Sequence, residues 1–243
     1  MSTERTAVHR RRPSDRLKIA LIGLAVLVLS AILVALLVDR IFFHSSSAPA
    51  GTGSGVASTQ ARSLPPFTGI DLAGNNNVIV QVGPRQSVIV HADSNLLGRV
   101  TTRVSSGRLV IGTTPGNLNA KSPMFVTVAV PSLDGLTLHG AGNITATGVN
   151  SRNMTVALPG SGNIDATGTT KRLDVTISGD GNALLRRLIA RDARAALIGD
   201  GSIMLTATHS LTARLSGSGT VLYGGNPRHV AQQVTGRGTI SAG

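Results

Sequence analysis

A short glycine motif, G-x-G, recurs along the second half of the chain and constrains the fold more than any other feature. It occurs six times, and its first glycines are separated by 20, 19, 20, 18 and 19 residues. The glycine pairs are Gly140 and Gly142, Gly160 and Gly162, Gly179 and Gly181, Gly199 and Gly201, Gly217 and Gly219, and Gly236 and Gly238. One unit of this length cannot bury its own apolar face, whereas a stack of units can. The spacing therefore predicts a repeat architecture with one motif per turn.

Apolar and polar residues alternate on both sides of each motif. Around Gly160, for example, Leu158 lies two positions before the motif and Ile164 four positions after its start. Period-two alternation predicts two half-buried strands that meet at a corner, where glycine lets the backbone turn sharply. We therefore expect the equivalent residues Leu158, Ile177 and Leu197 to stack in one interior file, about 4.8 Å apart.

The composition agrees with a β fold. Glycine is abundant at 29 residues, aromatic side chains are scarce, and the helix formers Glu and Lys are nearly absent, with Glu4 the only glutamate. Cysteine is absent, which excludes disulfides and thiol chemistry. The third corner position is polar in every copy and predicts a ladder of side-chain hydrogen bonds from turn to turn. Its members are Asn143, Asn163, Asn182, Ser202, Thr220 and Thr239.

Upstream, the stretch "FTGIDLAGNNNVIVQV" fits the same template, and three further strand-like segments follow with looser spacing. Residues 64–243 comprise 180 positions, which at 19 to 20 per turn predicts an all-β, single-stranded β-solenoid of about nine rungs. Gln232 occupies an otherwise apolar column, as expected of an atypical last rung. Because an uncapped end exposes unpaired backbone groups, we expect homo-oligomers to form through the solenoid ends.

Residues Ile19 to Val38 are 20 consecutive positions without a charged side chain. A helix of this length is about 30 Å long, which matches the hydrocarbon core of a bilayer. Five basic residues lie between positions 10 and 18, so the positive-inside bias predicts a cytoplasmic N-terminus. A cleavable signal peptide is the alternative, because Ala48-Pro49-Ala50 resembles a cleavage site.

These features predict a single-pass protein of the bacterial cytoplasmic membrane. Its segments are a basic cytoplasmic tail (1–18), a transmembrane helix (19–38), a flexible Ser/Gly/Ala linker (39–63) and the β-solenoid (64–243). The solenoid is expected in the periplasm or outside the cell.

The formal net charge is +12, and the basic excess is spread over the whole chain. Counting twelve residues from each first glycine gives the series Arg152, Arg172, Arg191, Leu211 and His229, with Lys171, His209 and Arg228 close by. A basic stripe at rung spacing would bind an envelope polyanion, either an acidic glycan or lipid headgroups. The candidate binding residues are Arg152, Lys171, Arg172, Arg191 and His229. The alternative is that these are ordinary solvated turn positions.

Asp180 and Asp200 occupy the middle of the G-x-G corner in consecutive copies, so their carboxylates would lie about 5 Å apart. Such a pair could work as acid and base in a polysaccharide-active enzyme, but solvated turn residues are the simpler interpretation. His139, beside the first corner, is interpreted as an exposed strand-end histidine. We expect no catalysis, no cofactor and no metal. Nucleic acid is not expected as a partner, because no aromatic residues alternate with the basic ones.

The recurrent G-x-G-N-I motif with apolar alternation resembles the autotransporter-adhesin head family, called the head GIN domain family. The similarity extends to "PFTGIDLAGNNNVIVQVG" and covers roughly residues 64–243. It implies a right-handed β-helix of pectin-lyase-like shape, an adhesion role and no established catalytic residues. No functional residue is carried over from the family.

Overall fold

The computed structural model describes residues 51–243, which form an all-β domain with a single 3-10 turn at Leu97–Arg99. The predicted cytoplasmic tail, transmembrane helix and first part of the linker lie outside these residues. In the part that is described, no helix is long and apolar enough to cross a bilayer.

The strands fall into an irregular N-terminal group and a regular C-terminal group. The first group comprises β1 (Gly51–Thr52), β2 (Ala57–Ala61), β3 (Gly69–Leu72), β4 (Asn77–Val82), β5 (Ser87–Asp93), β6 (Val100–Ser105), β7 (Arg108–Thr113), β8 (Leu118–Asn119) and β9 (Phe125–Val130). The second comprises β10 (Gly135–Leu138), β11 (Asn143–Leu158), β12 (Asn163–Ile177), β13 (Asn182–Ile198), β14 (Ser202–Gly217), β15 (Thr220–Gly224), β16 (His229–Gly236) and β17 (Thr239–Ala242).

Each regular turn pairs in parallel with the next through two main ladders. The post-corner ladder joins the residues that follow each glycine corner and runs β9–β4–β11–β12–β13–β14–β15–β17. The pre-corner ladder joins the residues before the corner and runs β7–β3–β10–β11–β12–β13–β14–β16. Register shifts in β11–β14 separate the two ladders. The long strands therefore bend and contribute to both.

The predicted interior file is confirmed. Leu158, Ile177 and Leu197 are direct partners in the pre-corner ladder and are at most 1% exposed. The file continues through Leu215, which is 2% exposed, to Val234 on the last strand, where 45% is exposed. The apolar core therefore comes to the surface at the C-terminal end of the coil.

The corner glycines are required for close stacking of the backbone. A Cβ atom on Gly162 would overlap the carbonyl oxygen of Gly142 on the preceding turn, and Gly142 itself meets the carbonyl oxygen of Asn76 in the same way. A sharp bend is thus only part of the reason for glycine at these positions. The neighbouring turn leaves no room for a side chain.

The predicted polar ladder is present in its first four positions and extends one turn further back. Asn163 donates from Nδ2 to Asn143 Oδ1 (2.8 Å) and accepts from Asn182 Nδ2 (2.9 Å). Asn143 Nδ2 in turn donates to Asn77 Oδ1 at 2.9 Å, and Ser202 Oγ donates to Asn182 Oδ1 at 2.7 Å. The ladder fixes the register of five consecutive turns.

The solenoid has about five turns, fewer than the nine rungs predicted. The count was wrong because it treated all of residues 64–243 as coil. Strands β5 and β6 instead pair antiparallel with β9 and β7. The turn formed by β3 and β4 lies between β7 and β9 on one side and β10 and β11 on the other, so the order in the stack differs from the order in the chain.

The predicted flexible linker requires a correction where the structure describes it. Residues 51–61 carry β1, which pairs with β8, and β2, which pairs with β5. Asp93 holds this segment because its buried carboxylate accepts hydrogen bonds from the backbone amides of Gly55 (2.9 Å) and Lys121 (2.8 Å). A run rich in small polar residues is ordered here by a buried anion that lies far away in the sequence.

Candidate functional site

The pairing register rearranges the predicted basic stripe. Ser151 pairs with Thr170, and Thr170 with Ala190, which places the next residue of each strand in one column. Those residues are Arg152, Lys171 and Arg191. Arg172 and His229, also predicted for the stripe, lie one residue further along, in the column of Asn153, Asp192 and Ser210.

The column continues where the sequence prediction placed an interruption. Leu211, the fourth residue at the twelve-residue offset, is 1% exposed and belongs to the core. Asp192 pairs with Ser210 and Ser210 pairs with His229, so His209 and Arg228, which precede Ser210 and His229 in the chain, follow Arg191 on the next two turns. A register shift lies between Ala190 and Asp192, and Arg228 precedes the start of β16, so these two residues continue the column less regularly. We call the five residues Arg152, Lys171, Arg191, His209 and Arg228 the basic ridge.

A different way of counting identifies the ridge from the sequence. Each of its five members lies eight residues before the next first glycine, at Gly160, Gly179, Gly199, Gly217 and Gly236. Counting forward fails because the register shifts fall between the post-corner and pre-corner ladders. Counting backward follows the pre-corner ladder, which is regular from the glycine back to Asp192, so only the shift between Ala190 and Asp192 affects this count.

One carboxylate moderates the charge of the ridge. Asp192 Oδ2 lies 3.9 Å from Arg191 Nε, and its Oδ1 lies 3.2 Å from His209 Nδ1. The pKa of Asp192 is lowered, first by the hydrogen bond from the Ser210 hydroxyl (2.6 Å) and then by nearby positive charges, which outweigh the opposing effect of burial. Asp192 therefore stays ionised at neutral pH.

The rest of the ridge is free of such pairing. No carboxylate in residues 51–243 lies within 4.0 Å of the charged groups of Arg152, Lys171 or Arg228. All three side chains are exposed. At Arg152, Lys171 and Arg191, where the strands pair in register, the backbone positions of successive members are about one strand spacing, roughly 4.8 Å, apart. The exposed side chains of Arg152, Lys171, Arg191 and Arg228 thus form a solvent-facing row of cations that can bind an extended polyanion.

The predicted acidic pair lies at the glycine corner of consecutive turns. Asp180 and Asp200 are both exposed, and Asp200 Oδ1 accepts a hydrogen bond from the backbone amide of Ser218 at 3.3 Å. No group of three or more His, Cys, Asp or Glu side chains among residues 51–243 is placed to hold a metal ion. His139 is exposed at the first corner, as predicted. The arrangement provides turn-capping groups on an open surface.

The sequence matches one family model over most of the domain. The family is described as "Putative auto-transporter adhesin, head GIN domain", and the match covers residues 66–227. No curated protein matches the chain in sequence.

Two solved structures share the fold. A "putative adhesin" from Bacteroides fragilis NCTC 9343 is similar at 22% identity and a TM-score of 0.67, over 79% of this chain and 99% of that one. A "putative lipid binding protein" from Parabacteroides distasonis ATCC 8503 is similar at 21% identity and a TM-score of 0.51, over 80% of this chain and 100% of the other. At these identities the likeness shows the fold alone.

Proposed function

The chain belongs to the head GIN domain family, and on that premise we propose that it is a non-catalytic adhesion or scaffolding module of the bacterial cell envelope that binds polyanions. The observation that carries this proposal is the basic ridge, in which five successive turns each contribute a basic residue eight positions before the next glycine corner. Repeated cations at one spacing suit a ligand with repeated anions, because each turn adds a similar electrostatic contact.

The proposed location is the outer side of the cytoplasmic membrane. It rests on the apolar run at 19–38 and on the basic residues that precede it. A domain anchored there would face the acidic glycans and anionic lipids of the envelope.

Catalysis is not part of the proposal. Asp180 and Asp200, the candidates for a polysaccharide-active enzyme, are exposed at a corner where Asp200 already caps the Ser218 amide. A general acid usually needs a shielded site that shifts its pKa toward the working pH. Replacing both aspartates by asparagine is therefore expected to leave ligand binding unchanged.

The test compares two triple variants of the full chain in detergent. The ridge variant carries Arg152→Gln, Lys171→Gln and Arg191→Gln. The control variant carries Arg85→Gln, Arg103→Gln and Lys121→Gln, which removes the same charge from exposed positions in the N-terminal group. Affinity is measured by microscale thermophoresis for heparin, for oligogalacturonate and for phosphatidylglycerol vesicles.

Loss of three contacts worth about 0.5–1 kcal/mol each predicts an affinity roughly 10- to 100-fold lower for the ridge variant. The effect should shrink at high salt, because exposed charges are screened. Vesicle binding without glycan binding would assign the ridge to lipid headgroups. Equal affinities of the two variants for all three probes would refute the ridge as a polyanion site.

A further inference from the structure

A groove lies on the outer surface of the pre-corner ladder, away from the ridge. Its centre is Ala196, whose ladder partners are Thr176 on the preceding turn and Arg214 on the next. Along its own strand the outward neighbours are Arg194 and Ile198. Because a methyl group is surrounded by four longer side chains, the surface is depressed at this point.

The depression extends in two connected parts. The first, about 300 Å³, is lined by Asp174, Thr176, Arg194, Thr212 and Arg214 around Ala196. The second, about 340 Å³, continues over Ala196 and Arg214 to Ile198, Ser216, Gln233 and Thr235. Each volume lies near the lower end of the roughly 300–1,000 Å³ typical of ligand sites. Together they form an open groove that crosses β12, β13, β14 and β16.

The groove carries a surplus of positive charge. Arg194 Nη1 lies 4.0 Å from Asp174 Oδ1, and its side chain is 72% exposed. For Arg214, no carboxylate of residues 51–243 is within 4.0 Å. A guanidinium offers a planar fork that binds carboxylate or sulfate in two parallel hydrogen bonds. One unpaired fork therefore remains for a ligand.

Three arginines form an oblique row that leads from the ridge side into the groove. The row consists of Arg172 on β12, Arg194 on β13 and Arg214 on β14. Each step from one arginine to the next moves by one turn and by two residues along the strand. One strand spacing and two residue rises separate successive members by about 8 Å. Successive members of the row are further apart than those of the ridge, and two of them, Arg194 and Arg214, line the groove.

The chemistry of the walls selects among anions. Hydroxyl and amide groups of Thr176, Thr212, Ser216, Gln233 and Thr235 alternate with the apolar floor of the groove. An acyl chain lying there would cover these polar groups without bonding to them, at a cost in free energy. Sugar hydroxyls would bond to them, and the C–H face of a sugar ring would rest on Ala196 and Ile198.

We propose that this groove binds an internal segment of a linear acidic polysaccharide, with a sugar carboxylate held by Arg214 and Arg194. The inference rests on the proposed polyanion-binding function and locates it at a built site. A groove open at both ends accepts a chain that continues in either direction. The ridge then contributes long-range attraction, and the groove contributes contact with individual sugars.

The test uses the full chain in detergent and oligogalacturonate, with the fully methyl-esterified oligomer as the neutral probe. Ala196→Gln fills the groove without changing charge, and Arg214→Gln removes the unpaired guanidinium. The matched controls are Ala157→Gln, at the same outward column two turns away, and Arg103→Gln, in β6. Circular dichroism and thermal unfolding establish that each variant is folded.

The expected result is at least a tenfold weaker Kd for oligogalacturonate in both groove variants, wild-type affinity in both controls, and weak binding of the neutral oligomer. Wild-type affinity in Ala196→Gln and Arg214→Gln would overturn the proposal that the groove binds the polysaccharide. If the ridge triple variant then loses binding, the proposed function stands without this site. If neither the groove variants nor the ridge variant lose binding, both the groove site and the proposed polyanion-binding function are refuted. Loss of phosphatidylglycerol vesicle binding alone in the groove variants would assign the groove to lipid and overturn the glycan proposal.

Discussion

The two ends of the solenoid are built in different ways. At the N-terminal end, antiparallel strands β2, β5 and β6 cover the coil; we call β1, β2 and β5 to β9 the cap. At the C-terminal end, among residues 51–243, β16 pairs with β14 alone and β17 with β15 alone, and every residue of β16 is exposed. The coil is therefore closed at one end and open at the other.

The cap and the coil are also held by different kinds of contact. In the coil the same contacts repeat on each turn, as in the asparagine ladder. In the cap, single side chains bond to distant backbone groups. Gln86, for example, accepts from the Phe67 amide at 3.3 Å and donates to the carbonyls of Leu64 and Pro65 at 3.1 Å. A repeat spreads its stability over many equivalent residues, whereas a cap depends on a few unique ones.

The largest effect is expected at a stacked corner. Gly162→Ala places a methyl group against the Gly142 carbonyl, so two turns must separate, at a cost of roughly 3 kcal/mol or more. The control is Gly83→Ala, next to the cap, where a Cβ would meet no other part of the described chain within 4 Å. Urea unfolding should show a large decrease in the free energy of unfolding for Gly162→Ala and a decrease of less than about 0.5 kcal/mol for Gly83→Ala. Equal losses would contradict the stacking argument.

The next effect concerns the anion that holds the cap. Burial raises the pKa of Asp93, but hydrogen bonds from the Ser122 hydroxyl and the amides of Lys121, Ser122 and Gly55 outweigh it and lower the pKa below its usual value. The lowered pKa stabilises the fold above about pH 4, the pKa of the unfolded chain, and this stability is lost as the pH falls through the folded pKa.

Asp93→Asn is accordingly expected to lower Tm at pH 7. The gap between wild type and variant should narrow as the pH falls toward 3, because protonation weakens the wild-type contacts while asparagine does not titrate. Thermal unfolding at pH 7, 5 and 3 measures this. A gap that stays constant with pH would show that the charge of Asp93 has no part in holding the cap.

A smaller effect is expected in the asparagine ladder of the coil. Asn163→Ala removes two side-chain hydrogen bonds on an exposed surface, which should cost about 1–2 kcal/mol. Asn150→Ala is the control, at an exposed position on the preceding turn. Chemical unfolding of both variants compares them. A loss no greater than in the control would mean that the ladder adds nothing to stability.

The smallest effect on stability is expected at the open end, where the prediction of end-to-end association can be checked. Val234→Lys charges the exposed end of the interior file and should change the unfolding free energy by less than about 0.5 kcal/mol. It should abolish concentration-dependent association of the full chain in sedimentation velocity, while Thr235→Lys leaves it intact. A wild type that stays monomeric at all concentrations would contradict the prediction.

The sequence was sufficient for the regular part of the fold. Period-two alternation around an almost constant spacing identified the interior file of Leu158, Ile177 and Leu197 and the ladder from Asn143 to Ser202. Both patterns are local, since each residue meets its counterpart about 20 positions away. The basic ridge was only partly recognised, because the forward count crossed the register shifts and placed Leu211 in the stripe.

Only the tertiary structure decided the cap, the order of the turns and the groove. The pairing of Asn77 with Asn143 spans 66 residues, and the spacing of the glycine motifs does not predict it. The groove exists because Thr176, Ala196 and Arg214 become partners across three strands, and their neighbours Arg194 and Ile198 are set by the same register. A one-residue change in register would have placed different side chains there. The periodic local sequence determines the strands, the corner and the buried positions of each turn. Long-range pairing determines which side chains of different turns meet.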